Sequence, residues 1–154
     1  MPSTYYKTPW CQLKITQQNG CLCRIDFVRE PGDVAVTQDM ILRETLAQIG
    51  RYQQASTFVF ELPLDLQGTD FQRRVWSALQ QIPAGQTRTY GELARTLQSS
   101  PRAVGNACRK NPLPLIVPCH RVVSAQGIGG FAGQRTGQKV DIKEQLLRHE
   151  GVEF

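Results

Sequence analysis

The spacing of apolar residues changes along the chain, and this change constrains the fold more than any other feature. Residues 4–9, 11–17 and 21–28 alternate between apolar and polar, and Asn19-Gly20 gives a strong turn signal. From residue 69 onward the spacing is helical instead. A meander of three antiparallel strands followed by helices predicts an α+β fold.

The remainder of the first half contains a helix and a connection. Asp39 is predicted to cap a helix over about residues 40–52, and Phe58-Val59-Phe60 is predicted to form a short strand. Pro63 to Gly68 has the composition of a linker. We therefore expect two lobes, residues 1–66 and 67–154.

Charge is distributed unevenly between these lobes. Residues 1–66 carry seven acidic and six basic side chains, whereas residues 67–154 carry twelve basic and six acidic ones. A basic half joined to a neutral half indicates a polyanion such as nucleic acid as the partner of the second lobe. The alternative is a solvated surface with surplus arginine. The basic residues do not form a strongly amphipathic helix, so membrane binding is not expected.

Cysteine usage and the first residues indicate the compartment. The five cysteines are irregularly spaced, and the chain does not start with a basic segment followed by an apolar run. No stretch reaches the roughly 20 apolar residues of a membrane helix. We therefore expect a reduced, cytoplasmic protein without a disulfide framework.

The second lobe is punctuated by helix-start signals. Thr69-Asp70 is predicted to cap a helix that Pro83-Ala84-Gly85 ends, and Thr89 forms a capping box with Glu92. Ser100-Pro101 is predicted to open a further short helix to about Lys110. Two short helices with a tight turn and a basic second helix favour a helix-turn-helix. Two packed core helices are the alternative.

The second of these helices presents small residues. Its sequence is Arg102-Ala103-Val104-Gly105-Asn106-Ala107. Small side chains let a helix approach the minor groove, which is only about 6 Å wide and carries a degenerate base code. Close helix packing around Gly105 explains the same residues.

A cysteine beside a histidine is the candidate nucleophile. Asn111-Pro112 ends the preceding helix, and a predicted buried strand at Leu115-Ile116-Val117 leads into Cys119-His120. A thiol needs a nearby base or cation to ionise. Adjacent residues on an extended segment point to opposite sides, which favours a bridging water. Glu150 is a candidate for orienting the histidine. A buried structural cysteine is the alternative.

A zinc site is a weaker interpretation of the cysteines. Cys21 and Cys23 are too closely spaced for the usual ligand pair, although Cys11 is near in sequence. His120 and His149 are the only histidines. We therefore predict no metal site.

The ordered set of motifs resembles a known family. The O6-alkylguanine-DNA alkyltransferases, or methylated-DNA–protein-cysteine methyltransferases, are similar over residues 69–151, whereas the first lobe resembles their ribonuclease-H-like lobe only loosely. The resemblance implies a winged helix-turn-helix and an active-site loop in the second lobe. The matching segments are Phe71-Gln72-Arg73-Arg74-Val75-Trp76, Ile82-Pro83-Ala84-Gly85, Thr89-Tyr90, Arg102-Ala103-Val104-Gly105, Asn111-Pro112 and Pro118-Cys119-His120-Arg121-Val122.

The resemblance also implies roles in the reaction. Cys119 would accept the alkyl group, with His120 as base through a water and Glu150 polarising His120. Asn111 would tie the helix-turn-helix to the active-site turn. Tyr90 would help to rotate the nucleotide and assist the departing guanine.

Further residues are implied for DNA and for the base. DNA contacts fall on Tyr90, Arg102, Ala103, Gly105 and Arg109, with Arg102 entering the base stack. The alkylguanine pocket falls on Val122, Phe131, Ala132, Gly133 and Lys143, the last expected to open the final helix.

The implied activity is DNA repair by irreversible, single-turnover transfer from O6-alkylguanine in duplex DNA. O4-alkylthymine is left open as a second substrate. The protein is expected to use no cofactor and to bind the minor groove as a monomer; cooperativity and alkyl-size preference are left open. The alternatives are a cysteine hydrolase, a lesion binder without chemistry and a transcription factor.

Two positions and one short segment depart from the family pattern. Phe131 stands where relatives usually have tyrosine, and Ala132 stands where some have serine. Gln134 to Gln138 resembles a short insertion before Lys143.

Overall fold

Three antiparallel strands form the first sheet, in the order β1 (Ser3–Lys7), β2 (Gln12–Gln18) and β3 (Cys21–Val28). They belong to a computed structural model that describes residues 1–30, 32, 37–129 and 137–153. Asn19 and Gly20 both have positive φ, 54° and 80°, as a tight hairpin turn requires. The predicted meander and its turn are confirmed.

Helix α1 (Met40–Gln54) follows the sheet, and its N-cap is Asp39, whose side chain accepts from the backbone N–H of Leu42 at 3.0 Å. Its buried face is not purely apolar, because the polar side chains of Thr45 and Gln48 are buried on it. Its buried residues are Leu42, Thr45, Gln48, Ile49 and Tyr52.

The strand predicted at Phe58-Val59-Phe60 is wrong. The backbone N–H of Phe58 donates to the carbonyl of Ala55 at 2.9 Å, which closes a turn after α1. The amide of Gln48 holds both backbone groups of Glu61, at 2.9 Å each. A side chain thus satisfies the backbone where the prediction expected a neighbouring strand.

The connection between the lobes begins later than Pro63. Leu22 in β3 exchanges two 2.8 Å backbone hydrogen bonds, donating to the carbonyl of Pro63 and accepting from the N–H of Asp65. These residues therefore belong to the first compact unit, Met1–Gln67, and the second is Gly68–Phe154.

Among its described residues, the second unit contains four α-helices, one 3₁₀ turn and a short parallel bridge. The helices are α2 (Asp70–Gln80), α3 (Tyr90–Thr96), α4 (Pro101–Arg109) and α5 (Gln138–His149). Strand β4 (Arg88–Thr89) pairs in parallel with β5 (Val122–Val123). Together with the antiparallel sheet of the first unit, these helices confirm the predicted α+β class.

Local sequence signals set where these helices begin. Thr89 and Glu92 form the predicted capping box, with both hydrogen bonds at 3.0 Å. Ser100 caps α4 through the N–H of Ala103 at 3.1 Å, and Pro101 occupies the first turn. The predicted starts of α3 and α4 are therefore confirmed.

The core of the second unit fixes α4 against α2. The indole N–H of Trp76, which is 1% exposed, donates to the carbonyl of Ala107 at 2.9 Å. Val75 and Leu79 of α2 and Val104 of α4 are fully buried. Burial of this size stabilises by roughly 1.5–3 kcal/mol per large apolar side chain.

The strand predicted at Leu115-Ile116-Val117 is also wrong, although these residues are buried. The N–H of Val117 returns to the carbonyl of Leu113 at 2.9 Å, and Leu115 has φ 79°. Flanking prolines lack the N–H that a strand ladder needs, so the chain turns here.

The segment that follows is not extended. Cys119–Arg121 form one 3₁₀ turn, in which the N–H of Arg121 donates to the carbonyl of Pro118 at 3.1 Å. Cys119 and His120 therefore do not alternate between the two sides of an extended segment in the way that the sequence predicted.

Three other sequence predictions concern Lys143, the segment from Phe131 to Gln134 and membrane-spanning helices. Lys143 lies within α5 rather than opening it, because the helix begins at Gln138. Phe131, Ala132 and Gly133, with the start of the presumed insertion at Gln134, lie outside the described residues. Within the described ranges, no helix has the length and apolar character needed to cross a membrane.

Candidate active site

Cys119 begins the 3₁₀ turn and is almost completely buried, with 6% of its surface exposed. Burial raises the pKa of its thiol, because a thiolate is poorly solvated in the interior. A hydrogen bond from the Asn111 side chain and the cation of Lys143 act in the opposite direction. The thiol is therefore held protonated by burial, with two groups placed to favour its ionised form.

Asn111 fixes the turn that leads to this thiol. Its Nδ2 donates to the carbonyl of Val117 at 2.9 Å, and its Oδ1 accepts from the N–H of Leu113 at 2.9 Å. The residue directly follows α4 and its C-cap, Lys110. Asn111 therefore connects the end of α4 to the segment that carries Cys119.

His120 is completely buried and paired with a carboxylate. Its Nε2 lies 2.8 Å from Oε2 of Glu150, the residue that caps the C-terminus of α5. The same carboxylate receives two hydrogen bonds from Arg121, Nε to Oε1 and Nη2 to Oε2, both 2.9 Å long. The remaining guanidinium nitrogen, Nη1, donates to the carbonyl of Ile82 at 2.6 Å.

The surroundings assign the protons in this group. Burial alone would raise the pKa of Glu150, but hydrogen bonds and charge from His120 and Arg121 outweigh it and hold that pKa well below its usual range. Burial lowers the pKa of His120, although Glu150 partly opposes this effect. The carboxylate is thus ionised and the imidazole is neutral at pH 7.

The position of the single imidazole proton follows. An ionised carboxylate only accepts hydrogen bonds, so Nε2 of His120 carries the proton and donates it to Glu150. The other nitrogen, Nδ1, keeps its lone pair. It is buried, and no hydrogen-bond partner for it is found among the described residues. Nδ1 is therefore the atom of this site that is able to accept a proton.

Tyr90 opens α3 beside two glycines. A Cβ built on Gly105 of α4 would lie 3.9 Å from Cε1 of the Tyr90 ring. On Gly129 a Cβ would lie 3.4 Å from Cε2 of Tyr90 and 3.5 Å from Nζ of Lys143, and φ there is 77°. Burial, followed by the nearby thiols of Cys108 and Cys119, raises the pKa of Tyr90. Its hydroxyl therefore stays protonated at pH 7.

Lys143 brings a buried cation to the same place. Its side chain is fully buried, and Nζ donates to the carbonyl of Val122 at 2.6 Å. Burial lowers the pKa of Lys143 to about 8, and the thiols of Cys119 and Cys108 partly oppose this shift. The structure thus gathers the predicted Cys119, Tyr90, Val122 and Lys143 into one site.

Sequence reasoning missed two members of this site. Arg121 belongs to the matching segment Pro118-Cys119-His120-Arg121-Val122, but no role was predicted for it, and no local pattern marks it as buried. Cys108 lies three residues after Gly105 and so shares the face of α4 that approaches Tyr90. Burial and the neighbouring Cys119 raise the pKa of Cys108 to about 12.

The exposed face of α4 carries the basic residues expected there. Arg102 and Arg109 are exposed, whereas Ala103 and Gly105 are half-buried. An open groove of about 600 Å³ runs between this helix and the start of α2. Its lining residues are Thr69, Phe71, Gln72, Ala103, Asn106, Ala107, Arg109 and Lys110.

The cysteines of the first unit lie among polar partners. The Cys23 thiol donates to the carbonyl of Thr16 at 3.5 Å, and the Cys11 sulfur lies 3.5 Å from the hydroxyl of Thr8. In the part of the chain that the structure describes, no group of three or more histidine, cysteine or acidic side chains is arranged to hold a metal ion.

Comparison with known proteins relates this chain to one group. Residues 70–152 match the family model of the DNA-binding domain of 6-O-methylguanine DNA methyltransferase. The methylated-DNA–protein-cysteine methyltransferase of Methanosarcina mazei is 44% identical over 151 residues, covering 94% of this chain and 93% of the relative. That of Methanosarcina acetivorans is 43% identical over 124 residues, covering 79% and 77%.

Solved structures agree with the sequence comparison. The crystal structure of Mycobacterium tuberculosis O6-methylguanine methyltransferase superposes with a TM-score of 0.81 at 32% identity, covering 96% of this chain and 91% of that one. The crystal structure of the Mycobacterium tuberculosis protein in complex with DNA gives a TM-score of 0.79 at 34% identity, with the same coverage.

Proposed function

This chain belongs to the 6-O-methylguanine DNA methyltransferase family, and we propose that it repairs DNA by transferring the alkyl group of O6-alkylguanine to its own Cys119. The observation that carries the assignment is the buried Cys119 thiol next to a neutral His120, whose Nδ1 lone pair is not engaged by any residue that the structure describes. Such a pair suits a thiol that must lose its proton at the moment of attack.

The proposed reaction is a direct displacement. The thiol proton of Cys119 passes through a water to Nδ1 of His120, and the sulfur attacks the alkyl carbon. The bond between this carbon and O6 breaks, and its electron pair stays with the departing guanine. We assign the protonated Tyr90 hydroxyl to assist that departure. The product is a thioether, so each protein molecule acts once.

Other side chains prepare this step. Glu150 accepts from Nε2 of His120 and keeps the lone pair on Nδ1. Asn111 shapes the turn before Cys119 and favours its thiolate. Lys143 and the backbone of Val122 are assigned to the alkylguanine pocket. The same assignment covers Phe131, Ala132 and Gly133, which lie outside the described residues.

Access to the alkyl group requires the base to leave the duplex, at a cost of a few kcal/mol. We propose that α3, α4 and the β4–β5 pair act as a winged helix-turn-helix in the second unit. The small residues Ala103 and Gly105 let α4 approach the minor groove, and the exposed Arg102 fills the space that the base leaves. Arg109 and Tyr90 complete the DNA contact.

The proposal includes a monomer that acts on duplex DNA in the cytoplasm, where a reducing environment keeps cysteine as thiol. All five cysteines are free in the structure. The proposal also assigns both DNA binding and alkyl transfer to residues 67–154. Cooperative binding would appear as a steeper binding curve on longer DNA.

Mass spectrometry tests the assignment directly. Incubation with duplex DNA containing O6-methylguanine is expected to replace one hydrogen of the protein by one methyl group, and peptide mapping is expected to locate it on Cys119. Cys119→Ser should bind the same DNA without any gain in mass, because a hydroxyl is far less acidic than a thiol. Methyl on Cys108 or Cys23 would contradict the assignment, and repeated turnover would favour a hydrolase.

A further inference from the structure

Arg121 is the buried side chain of this site that the reaction above does not use. Its side chain is 11% exposed, and that of Glu150 is 0% exposed. All three guanidinium nitrogens donate hydrogen bonds, two to Glu150 and one to the carbonyl of Ile82. A planar fork that matches both carboxylate oxygens has a fixed geometry.

Three charged groups act on His120 from the elements around it. Glu150, at the end of α5, favours the imidazolium form, and Arg121 in the 3₁₀ turn opposes it. Lys143 of α5 opposes it less than Arg121 does, and it donates to Val122. The guanidinium therefore provides the main electrostatic balance to the carboxylate that touches His120.

The charge balance between Arg121 and Glu150 determines how many protons the pair of His120 and Glu150 holds. With Arg121 present, the carboxylate is ionised and the pair of His120 and Glu150 holds one proton, on Nε2. Without that cation, a buried negative charge is strongly disfavoured and the pair takes up a second proton.

The second proton has two places to go, and both affect Nδ1. As imidazolium, His120 carries protons on both nitrogens. If Glu150 is protonated instead, its O–H donates to Nε2, and the remaining imidazole proton must move to Nδ1. In either arrangement Nδ1 loses its lone pair.

We propose that Arg121 is a positioning residue of the methyl transfer, which holds Glu150 as an ionised acceptor and thereby keeps the proton-accepting lone pair of His120 on Nδ1. The inference rests on the proposed role of His120 as base. It adds Arg121 to the chain of groups that runs from the thiol to the carboxylate.

Nitrogen-15 NMR of histidine-labelled protein tests the protonation state without measuring activity. The chain has two histidines, so His149→Gln identifies the His120 signals. In the unaltered protein, Nδ1 of His120 should remain unprotonated at pH 6, where an ordinary histidine with a pKa of about 6.5 is mostly charged. A protonated Nδ1 at pH 7 would overturn the proposal.

Arg121→Met removes the cation and is expected to show a protonated Nδ1 at pH 7. The double variant Arg121→Met with Glu150→Gln removes both charges and should return Nδ1 to its unprotonated state, since the amide oxygen can still accept from Nε2. An unprotonated Nδ1 in the single variant, or a protonated one in the double variant, would overturn the inference. The double variant and the unaltered protein remain informative if the single variant does not fold.

Transfer rates give the second readout. At pH 7, methyl transfer by Arg121→Met should fall at least about tenfold for each pH unit by which the new pKa lies above 7, and the rate should recover as the pH is raised. A merely structural role would lower the rate equally at every pH. Arg74→Met is the matched control, because Arg74 also donates to a backbone carbonyl, that of Leu97, at 3.1 Å, and its rate should not change.

The two proposals fail in different ways. If Cys119 is not the acceptor, peptide mapping places the methyl group elsewhere while the histidine spectra stay as described. If Arg121 has no role in the protonation state, Cys119 is methylated as expected while the His120 signals of Arg121→Met match those of the unaltered protein.

Discussion

Methylation of Cys119 should destabilise the protein, because the sulfur lies where added volume is poorly tolerated. The residue is 6% exposed, and its neighbours in sequence, Val117, His120 and Val122, are all fully buried. Folded interiors are packed as densely as organic crystals. A methyl group on sulfur must therefore displace neighbouring atoms, and it also removes the form of the sulfur that Asn111 and Lys143 favour.

The magnitude follows from two contributions. Inserting a methylene-sized group into a packed core costs about 1–3 kcal/mol, and losing the hydrogen bond with Asn111 costs about 1 kcal/mol. Together they amount to about 2–4 kcal/mol, a large share of a typical total of about 5–15 kcal/mol. At about 2–4 °C per kcal/mol for a chain of this size, the melting temperature should fall by about 5–15 °C.

Calorimetry on the two forms provides the assay. The protein is methylated to completion with an oligonucleotide that contains O6-methylguanine, separated from DNA, and compared with protein treated with unmodified DNA. Cys119→Ser, carried through the same treatment, should not shift. An ethyl group should lower the midpoint further than a methyl group. An unchanged or raised midpoint would refute the packing argument and show that the surroundings of the sulfur already accommodate the product.

Two further predictions concern the DNA contact of Arg102 and the pH dependence of stability. Arg102→Ala should slow repair of duplex DNA more than reaction with free O6-methylguanine, because the exposed side chain is assigned to the base stack; Arg148→Ala, an exposed arginine of α5, is the control, and equal slowing of both substrates would place Arg102 in the pocket or the fold. The free energy of unfolding should fall by at most about 1.4 kcal/mol per pH unit as the pH drops below 6.5. The native pKa of His120 lies below its ordinary value, so the unfolded chain takes up the proton first. Glu150, whose native pKa is also depressed, adds to the loss below its ordinary value of 4.5; urea titrations from pH 7 to 4 on the protein and on His120→Asn measure both windows, and a flat profile from pH 7 to 5 would contradict the assignment of a neutral buried His120.

Helix starts could be predicted from the sequence because each depends on a few neighbouring residues. Thr89 needs only Glu92, three positions later, to satisfy two backbone donors at the start of α3. Ser100 needs only a free N–H one turn away. Asn19 and Gly20 determine their turn by their own tolerance of positive φ. None of these depends on the rest of the fold.

The two strand predictions were wrong because side chains distant in sequence hydrogen-bond the backbone of these segments or of the residues next to them. Residues 58–60 are all apolar, as in a short buried strand. The amide of Gln48, thirteen residues from Glu61, instead hydrogen-bonds both backbone groups of Glu61, directly after them. Ile116 and Val117 have β-branched side chains, yet the Asn111 side chain accepts and donates where a neighbouring strand would have done so. Neither interaction can be predicted from the amino-acid composition of the segment.

In the candidate site, too, some residues could be predicted from their neighbours in sequence, whereas others depend on distant partners. Cys119 and His120 are adjacent in sequence, so their chemistry was visible as a dipeptide, whereas no local motif links Glu150 to them and its role was implied by the family resemblance. Arg121 was overlooked because its partners, the carbonyl of Ile82 and the carboxylate of Glu150, lie 39 and 29 residues away. An arginine beside a histidine gives no local sign that it will be buried.

That long reach also ties the chemistry of the site to its stability. Arg121 connects Ile82, just beyond α2, to the 3₁₀ turn and to Glu150 at the end of α5. Removing one partner of a buried ion pair costs about 3–5 kcal/mol, since it leaves the other charge without compensation. The group that sets the proton on His120 therefore also joins three segments of the second unit. Substitutions that alter the proton balance must change stability as well, so only variants that preserve the net charge, such as the paired change at Arg121 and Glu150, are able to separate the two effects.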